Sequence, residues 1–274
     1  MTELRRAKEV AGEAAKVAGA ILLREYHQRR YQTRTKADTS LQTGADLAAE
    51  HAILACIHTA FGDHTIESEE QGVWKVGASP YRWKIDPLDG TENFVLGLPY
   101  FSSTLLLSYD DQPLVAVVYE PVTDTLYLAE REAGAWLNGE RMQVSHTHDF
   151  RQCRTFLIPD FVTKREALTA RLRQELYQRC RRVLDTWSPA LDWCLVASGR
   201  ADLVVALAGA PLTPDAGTLI LEEAGGRITD FSGQRFTGRA QRCLIGSNGT
   251  ELHDQLLHFL DRFREKEPCQ EIPL

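Results

Sequence analysis

The sequence predicts an α/β (α+β) fold built in layers. Three observations predict it: a long amphipathic helix at the start of the chain, a series of short strands in the middle, and alternating strands and helices in the last part. The 274 residues exceed the ~100–200 residues of a usual domain. One large layered domain and two closely packed halves are therefore both open.

The first part of the chain predicts two helices. Apolar residues recur at intervals of three and four, which places them on one stripe of a first helix: Leu4, Ala7, Val10, Ala11, Ala14, Val17, Ala18, Ile21 and Leu22. A second helix is predicted over residues 45–61, and Gly62 suits its termination. The polar stretch 33–44 predicts a loop or a hairpin.

Past Gly72 the pattern changes to strands, which are separated by turn-forming residues. Strands are predicted at 81–85, 102–109, 114–119 and 125–130, in a mostly antiparallel sheet. From Cys153 onward strands at 155–158, 203–207, 227–230 and 243–246 alternate with helices at 165–179, 189–198, 217–224 and 251–262. Such alternation predicts a layered α/β half.

Composition excludes several classes of protein. The sequence has no run of ~18 apolar residues that could cross a bilayer, and its amino terminus is typical of a helix rather than a secretory signal, so we expect a cytoplasmic protein. Six cysteines without a Cys-x-x-Cys pair indicate neither a zinc knuckle nor a disulfide framework. The net charge of -7 disfavours a nucleic acid polymer or a membrane as partner, because both require a surplus of Lys and Arg.

The most informative segment joins an apolar strand to two aspartates, Asp86 and Asp89. Hard divalent cations such as Mg²⁺ prefer carboxylate and carbonyl oxygens, so these aspartates and the carbonyl of Leu88 are candidate ligands. Pro87 and Gly90 fix a sharp turn. The amides that open the following helix would face an anion.

Two further acidic segments flank this motif. Glu67-Ser68-Glu69-Glu70 follows an apolar residue at a predicted strand end, and Asp215 opens an apolar helix that ends in paired glycines. Each segment alone also fits an ordinary structural role. Asp86 and Asp89 fit an Asx turn, residues 67–70 fit a solvated run of charges, and Asp215 fits a helix cap.

Together the three segments resemble the inositol monophosphatase-like family of lithium-sensitive, magnesium-dependent phosphatases. The family pattern is an acidic pair, then Asp-Pro-Leu/Ile-Asp-Gly-Thr, then Trp-Asp before a helix that ends in Glu-Ala-Gly-Gly. The match has the same order and spacing over nearly the whole chain. It implies an α-β-α-β-α sandwich of the fructose bisphosphatase/inositol monophosphatase type.

The resemblance also implies the roles of individual residues. The metal ligands would be Glu69, Asp86, Asp89, Asp215 and the carbonyl of Leu88, with Asp86 bridging ions. The substrate would contact Asp89, Gly90, Thr91 and Ser188. The catalytic residues would be Asp46, Thr91 and Glu69: Asp46 in Thr43-Gly44-Ala45-Asp46 pairs with Thr91 to orient the attacking water. Glu70 would lie behind the metal ligands and Lys36 near the metal-bound waters.

The resemblance implies two or three Mg²⁺ ions, with Mn²⁺ as a substitute and Ca²⁺ and Li⁺ as inhibitors. The expected partner is a small phosphorylated metabolite, and a homodimer is an option because relatives are commonly dimers. We divide the chain into an N-terminal α+β half, residues 1–150, with the acidic motifs, and a C-terminal α/β half, residues 151–274, with Asp215. Both halves would form one compact catalytic unit.

The sequence departs from the family near the substrate end. Pro214, after Thr213, replaces the family Trp; residues 182–190 replace a Gly-Ser-Ala stretch; and Ala206 stands where inositol phosphatases carry Glu. Trp187 or Trp193 could stack on a substrate ring or belong to the core. Inositol monophosphate, histidinol phosphate, fructose 1,6-bisphosphate and a nucleotide 3′-phosphate are all open as substrates.

The mechanism expected is direct attack by water, because the Asp-x-x-Asp spacing differs from the Asp-x-Asp of phosphatases with an aspartate nucleophile. Two other classes of function are open. The chain could be a catalytically silent metal-binding regulatory protein, or an α/β domain that calcium stabilises.

Overall fold

The computed structural model describes residues 3–29, 31–36, 39–209, 212, 215–237 and 241–264. The helices are α1 (Glu3–Gln28), α2 (Gly44–Ala60), α3 (Thr91–Leu96), α4 (Ala167–Arg179), α5 (Pro189–Ala197), α6 (Ala216–Glu223) and α7 (Leu252–Arg264). The strands are β1 (Thr33–Thr35), β2 (Leu41–Thr43), β3 (Thr65–Ser68), β4 (Gly72–Lys75), β5 (Tyr81–Asp89), β6 (Ser102–Tyr109), β7 (Gln112–Glu120), β8 (Thr125–Glu130), β9 (Gly134–Leu137), β10 (Glu140–Arg141), β11 (Arg154–Pro159), β12 (Arg182–Leu184), β13 (Leu203–Leu207), β14 (Arg227–Asp230) and β15 (Cys243–Ser247).

The chain divides into two compact units. The first comprises Met1–Arg141, Trp187–Cys194 and Asp215–Glu223, and the second comprises Met142–Thr186, Leu195–Pro214 and Ala224–Leu274. The first unit therefore includes Asp215, which the division of the sequence at residue 150 assigns to the C-terminal half.

The first unit is built on a sheet with the strand order β10-β9-β8-β7-β6-β5-β3-β4. Its pairs are antiparallel except that β3 runs parallel to β5, with Ser68 opposite Ile85. The amide of Glu69 continues this pairing by donating to the carbonyl of Ile85 at 3.0 Å. The ends of β3 and β5 therefore carry Glu69 and Asp86 to the same place.

Helices cover both faces of this sheet. Small residues of α1, including Ala11, Ala14 and Ala18, are buried and let this helix lie close to the sheet. A Cβ on Gly19 would meet the ring of Tyr119 at 2.4 Å, so α1 needs glycine there. On β7, Val117 belongs to the core shared with α1 and α2, whereas the alternate residue Val118 is buried outside that core, on the face that α6 contacts.

The second unit contains a sheet with the order β12-β11-β13-β15-β14. β11 is parallel to β12 and β13, and β15 is antiparallel to β13 and β14. Apolar residues of α4 and α7, such as Leu172 and Leu256, form one core with Leu157 and Val205 of the strands.

The cysteines differ in state. Cys56, Cys153, Cys180 and Cys194 are free thiols, whereas Cys243 is disulfide-bonded.

The layered α/β fold that the sequence predicts is confirmed. The stretch 33–44 contains the β1–β2 hairpin. A 3₁₀ turn at Thr163–Arg165 precedes α4, which starts at Ala167 rather than at the predicted residue 165. The short strands β4, β9, β10 and β12 were not predicted. Within the described part of the chain, no helix is long and apolar enough to cross a bilayer.

Candidate active site

A cavity of about 320 Å³ lies beside the ends of β3 and β5 in the first unit. Five carboxylates line it: Glu67, Glu69, Asp86, Asp89 and Asp215. Lys84 lines it as well, together with residues that include Thr104, Pro189 and Ala190. The four acidic residues predicted as metal ligands therefore share one cavity.

Asp86 lies where β5 leaves the regular sheet. Pairing with β6 is interrupted between Asp86 and Asp89, the amide of Leu88 donates to Oδ1 of Asp86 at 3.0 Å, and Ser103 donates to the carbonyl of Pro87 at 2.8 Å. Burial and the charges of Glu69 and Asp89 raise the pKa of Asp86 well above its ordinary value. Such crowding of acidic groups is relieved when a cation binds among them.

Asp89 is the most enclosed of these ligands, with 5% of its surface exposed. Its Oδ2 accepts hydrogen bonds from the hydroxyls of Ser188 and, at 3.3 Å, Ser102, and the amide of Ala190 also donates to this carboxylate. Burial raises the pKa of Asp89 to about 7, although these donors oppose the rise. Serine donors and α5 thus hold the aspartate in one orientation.

The β3–β4 turn carries Glu69 and Glu70. Lys36 donates to Glu69 at 2.9 Å and to Glu70 at 2.7 Å, and Gln42 also donates to Glu70. Burial lowers the pKa of Lys36, but the two glutamates outweigh this effect and raise it above its ordinary value. Lys36 therefore lies at the site as a charged group.

Asp46 and Thr91 meet although they lie 45 residues apart. Oγ1 of Thr91 is 3.3 Å from Oδ1 of Asp46 and 3.0 Å from the carbonyl of Leu88. Oδ2 of Asp46 accepts from the amide and the hydroxyl of Thr43, at 2.7 and 2.5 Å, in the capping box that starts α2. Burial raises the pKa of Asp46 to about 6 against these hydrogen bonds.

Gly90 begins α3 in a conformation that favours glycine, with φ at +91°. A Cβ at this position would lie 3.0 Å from the carbonyl oxygen of Tyr100 and 3.1 Å from the side chain of Ser188. Backbone conformation and close packing therefore both require glycine here, next to Thr91.

Asp215 precedes α6 and caps it. The amide of Thr218 donates to Oδ1 of Asp215 at 2.8 Å, and the hydroxyl of Thr218 donates to its carbonyl at 2.9 Å. Burial raises the pKa of Asp215, while the charge of Lys84 and the hydrogen bonds from Thr218 oppose the rise. Asp215 therefore caps α6 and also lines the cavity. Thr213 and Pro214, the departure from the family pattern, lie outside the described residues.

Ser188 is completely buried, and its hydroxyl is engaged with Asp89. Trp187 before it has a φ of +59°, which is unusual for a bulky residue. Trp193 is buried and packs where a Cβ on Gly217 would touch it at 2.7 Å, so it belongs to the core. Ala206 is buried in β13 of the second unit.

Sequence reasoning missed Lys84 as a cavity residue and gave Glu67 no role. Glu67 and Lys84 are direct neighbours across the parallel β3–β5 pair. The alternation of apolar and polar residues from Trp83 to Asp86 was the available signal, because it places Lys84 and Asp86 on one face of the strand. The pattern does not show, however, that β3 is the strand that pairs with β5, so it could not predict that Glu67 lies beside Lys84.

The donor set fits hard divalent cations, because every candidate ligand is an oxygen and carboxylates outnumber cations in the cavity. Glu69 and Asp86 line the same cavity, and the negative charge of Glu69 contributes to the raised pKa of Asp86. No three His, Cys, Asp or Glu side chains in the described ranges already enclose an ion position. The carboxylate side chains that line the cavity would therefore have to turn toward an ion when it binds.

A family model described as the inositol monophosphatase family matches residues 3–263. The chain belongs to this family. The Nus factor SuhB of Pasteurella multocida (strain Pm70) is 37% identical over 228 residues, which make up 82% of this chain and 85% of that protein.

Solved structures of this family have the same fold. The extragenic suppressor protein suhB from Bartonella henselae matches with a TM-score of 0.83 at 28% identity, over 94% of this chain and 98% of that one. An IMPase from Thermotoga maritima matches with a TM-score of 0.82 at 31% identity, over 93% of this chain and 96% of that one. The resemblance read from the sequence is confirmed, and membership of the inositol monophosphatase family supports a phosphatase-type function.

The exclusion of a nucleic acid polymer as partner was wrong. Relatives of this chain, including the one from Pasteurella multocida, carry the name Nus factor, and this finding conflicts with the exclusion. The exclusion rested on the net charge of the whole chain. Net charge averages over the surface and does not describe an individual binding face.

Proposed function

We propose that this chain is a Mg²⁺-dependent phosphatase that hydrolyses a small phosphate monoester by direct attack of water. The observation that carries the proposal is the convergence of Glu69, Asp86, Asp89 and Asp215 on one cavity. Family membership supports the same class of reaction. Ordinary turn and capping roles explain single carboxylates but not this convergence.

Glu69, Asp86, Asp89, Asp215 and the carbonyl of Leu88 would hold two or three Mg²⁺ ions, with Mn²⁺ as a substitute and Ca²⁺ and Li⁺ as inhibitors. When bound, the ions polarise the phosphoryl group, favour ionisation of water and stabilise the leaving alkoxide. Glu69 orients the water from the β3–β4 turn. Lys36, paired with Glu69 and Glu70, keeps that turn in place.

Thr91 and Asp46 orient the attacking water and accept its proton. The Thr91 hydroxyl can accept a hydrogen bond from water while it donates its own proton toward Oδ1 of Asp46, 3.3 Å away. Thr43 holds the second oxygen of Asp46, so the carboxylate cannot turn away. Thr91→Val removes the hydroxyl at constant shape and should lower kcat strongly, whereas Thr91→Ser should retain most of it.

The phosphate would bind at the amides of Gly90 and Thr91, beside Asp89. Glycine at position 90 leaves this backbone uncovered. Ser188 serves the substrate indirectly, by fixing Asp89. Inositol monophosphate, histidinol phosphate, fructose 1,6-bisphosphate and a nucleotide 3′-phosphate are the candidate substrates.

The experiment that tests this function measures phosphate release from these four substrates with Mg²⁺. Asp89→Asn should abolish release, whereas Asp110→Asn, the same exchange at an exposed turn with φ at +45°, should not. Rapid quench with labelled substrate should show no phosphoenzyme. A folded, metal-binding protein that turns over none of the four would contradict the proposal.

A second candidate function is a regulatory role independent of phosphatase activity, which the name of the Nus factor SuhB from Pasteurella multocida favours. Asp89→Asn separates the two functions. If a strain that carries only this variant grows as the wild type does while the purified variant releases no phosphate, the cellular role does not require catalysis. If growth fails together with catalysis, the phosphatase is the cellular function.

A further inference from the structure

Glu50 is completely buried on α2 and contacts the β3–β4 turn. Its Oε1 accepts a hydrogen bond from the hydroxyl of Ser68, and its Oε2 accepts one from the side-chain amide of Gln71. These two donors flank the acidic pair Glu69-Glu70 in the sequence. Glu50 therefore holds the turn on both sides of the acidic pair.

The two glutamates of this turn have different surroundings. The side chain of Glu70 is 2% exposed and accepts hydrogen bonds from Lys36 and Gln42. The side chain of Glu69 is 48% exposed and lines the cavity. Because an exposed side chain is little restrained by packing, the position of Glu69 depends on the ion pair with Lys36 and on how firmly the turn is held.

α2 connects this turn to the residues that would orient water. Glu50 and Asp46 lie four residues apart on α2, which places them one above the other on one face of the helix, and both are buried. Oδ1 of Asp46 lies 3.3 Å from the hydroxyl of Thr91. One rigid helix therefore contacts both Thr91 and the turn that carries Glu69.

We propose that Glu50 is a positioning residue that fixes the β3–β4 turn and thereby holds Glu69 in place to bind Mg²⁺. The inference rests on the proposed function, because it assumes that Glu69 binds Mg²⁺. Glu50 lies outside the lining of the cavity and acts through Ser68 and Gln71. Burial of a carboxylate costs free energy that an apolar side chain would avoid, so the contribution of Glu50 is its two hydrogen bonds.

Calorimetric titration of the purified full chain with Mg²⁺ tests this inference without an activity assay. Glu50→Ala should weaken Mg²⁺ binding by about tenfold or more, because groups that orient metal ligands have effects of this size. Glu50→Gln should retain most of the affinity. Its amide oxygen can accept from Ser68, and its amide nitrogen can donate to the side-chain oxygen of Gln71 once the Gln71 amide turns over.

Glu120→Ala is the matched control. Glu120 is also buried and also holds a turn, because it accepts hydrogen bonds from the amide of Val122, at 2.9 Å, and from the hydroxyl of Thr123. It lies at the β7–β8 turn, outside the lining of the cavity. This variant should lower Tm and leave Mg²⁺ affinity unchanged.

Gln71→Leu provides a second variant in case Glu50→Ala does not fold. Gln71 is exposed, and this substitution breaks one of the two hydrogen bonds of Glu50, so Mg²⁺ affinity should fall by less than in Glu50→Ala. Hydrogen exchange in EDTA adds a measurement without metal. The amide of Glu69, which donates to the carbonyl of Ile85 at 3.0 Å, should exchange faster in both variants than in the wild type.

Wild-type Mg²⁺ affinity and wild-type exchange in folded Glu50→Ala and Gln71→Leu would overturn the inference. An equal loss of affinity in Glu120→Ala would also overturn it, since lower stability rather than a displaced turn would then be responsible. If the wild-type protein does not bind Mg²⁺, the proposed function itself fails. That outcome differs from a failure confined to Glu50, in which the wild type and the Glu50 variants bind Mg²⁺ equally well.

Discussion

The hydroxyl of Ser188 donates a hydrogen bond to Oδ2 of Asp89, across 99 residues of sequence. Both side chains are buried, and the strained Trp187 precedes the serine. The resemblance to the family implied that Ser188 contacts the substrate. In the structure its hydroxyl contacts Asp89, which indicates that Ser188 positions this carboxylate.

Ser188→Ala should therefore weaken both stability and metal binding. The buried carboxylate would lose one of its donors, at a cost of about 1–2 kcal/mol in the free energy of unfolding. Urea unfolding without metal and calorimetric Mg²⁺ titration measure the two effects. Ser198→Ala, which removes a hydroxyl that donates to a backbone carbonyl, is the control. Normal Mg²⁺ affinity in Ser188→Ala would contradict the positioning role.

Asp86→Asn should stabilise the metal-free protein and abolish its response to Mg²⁺. Asn keeps the oxygen that accepts from the amide of Leu88, but it removes one negative charge beside Glu69 and Asp89. We expect a gain of about 1–3 kcal/mol without metal. Thermal unfolding in EDTA and in Mg²⁺ measures both effects, with Asp110→Asn as control. A lower Tm of Asp86→Asn in EDTA would show that the carboxylates do not repel each other appreciably.

Gly90→Ala and Gly139→Ala separate backbone strain from close packing. Both glycines have positive φ, +91° and +85°, but a Cβ at Gly139 meets nothing within 4 Å. Gly139→Ala should cost about 1 kcal/mol from strain alone. Gly90→Ala should cost about 1–3 kcal/mol more, because its Cβ meets Tyr100 and Ser188, and it should lose phosphatase activity. Chemical denaturation of both variants gives the difference, and equal costs would mean that the packing at Gly90 yields easily.

His253 should make the stability of the protein depend on pH. It is fully buried between Thr229 and Ser247, and burial, assisted by the charge of Arg227, lowers its pKa from 6.5 to about 4. The unfolded chain binds the proton more readily, so this stability is complete above pH ~6.5 and decreases as the pH falls toward ~4. About 2 kcal/mol should be lost by pH ~5.

Urea unfolding in EDTA at pH ~7.5 and pH ~5 measures this loss. His253→Gln cannot bind the proton, so it should lose less stability between the two pH values than the wild type does. The carboxylates contribute equally to both proteins and cancel in the comparison. An identical loss in the variant would mean that His253 does not titrate in this range.

The sequence by itself determined the elements that local patterns encode. The apolar stripe of residues 4–22 gave α1, Thr43 and Asp46 gave the start of α2, and the run 86–91 gave a sharp turn suited to metal and phosphate. Caps, turns and periodicity depend on residues a few positions apart, so their physical causes are visible in the chain itself.

Only the tertiary structure decided which side chains meet. The parallel pairing of β3 with β5 sets Glu67 beside Lys84, and the start of α5 brings Ser188 to Asp89. The edge strand β4 and the short strand β12 have too few residues for a distinct period. Such contacts join segments that are far apart in sequence, and they form because burial of the whole core outweighs the entropy of closing long loops, a balance that no local pattern encodes.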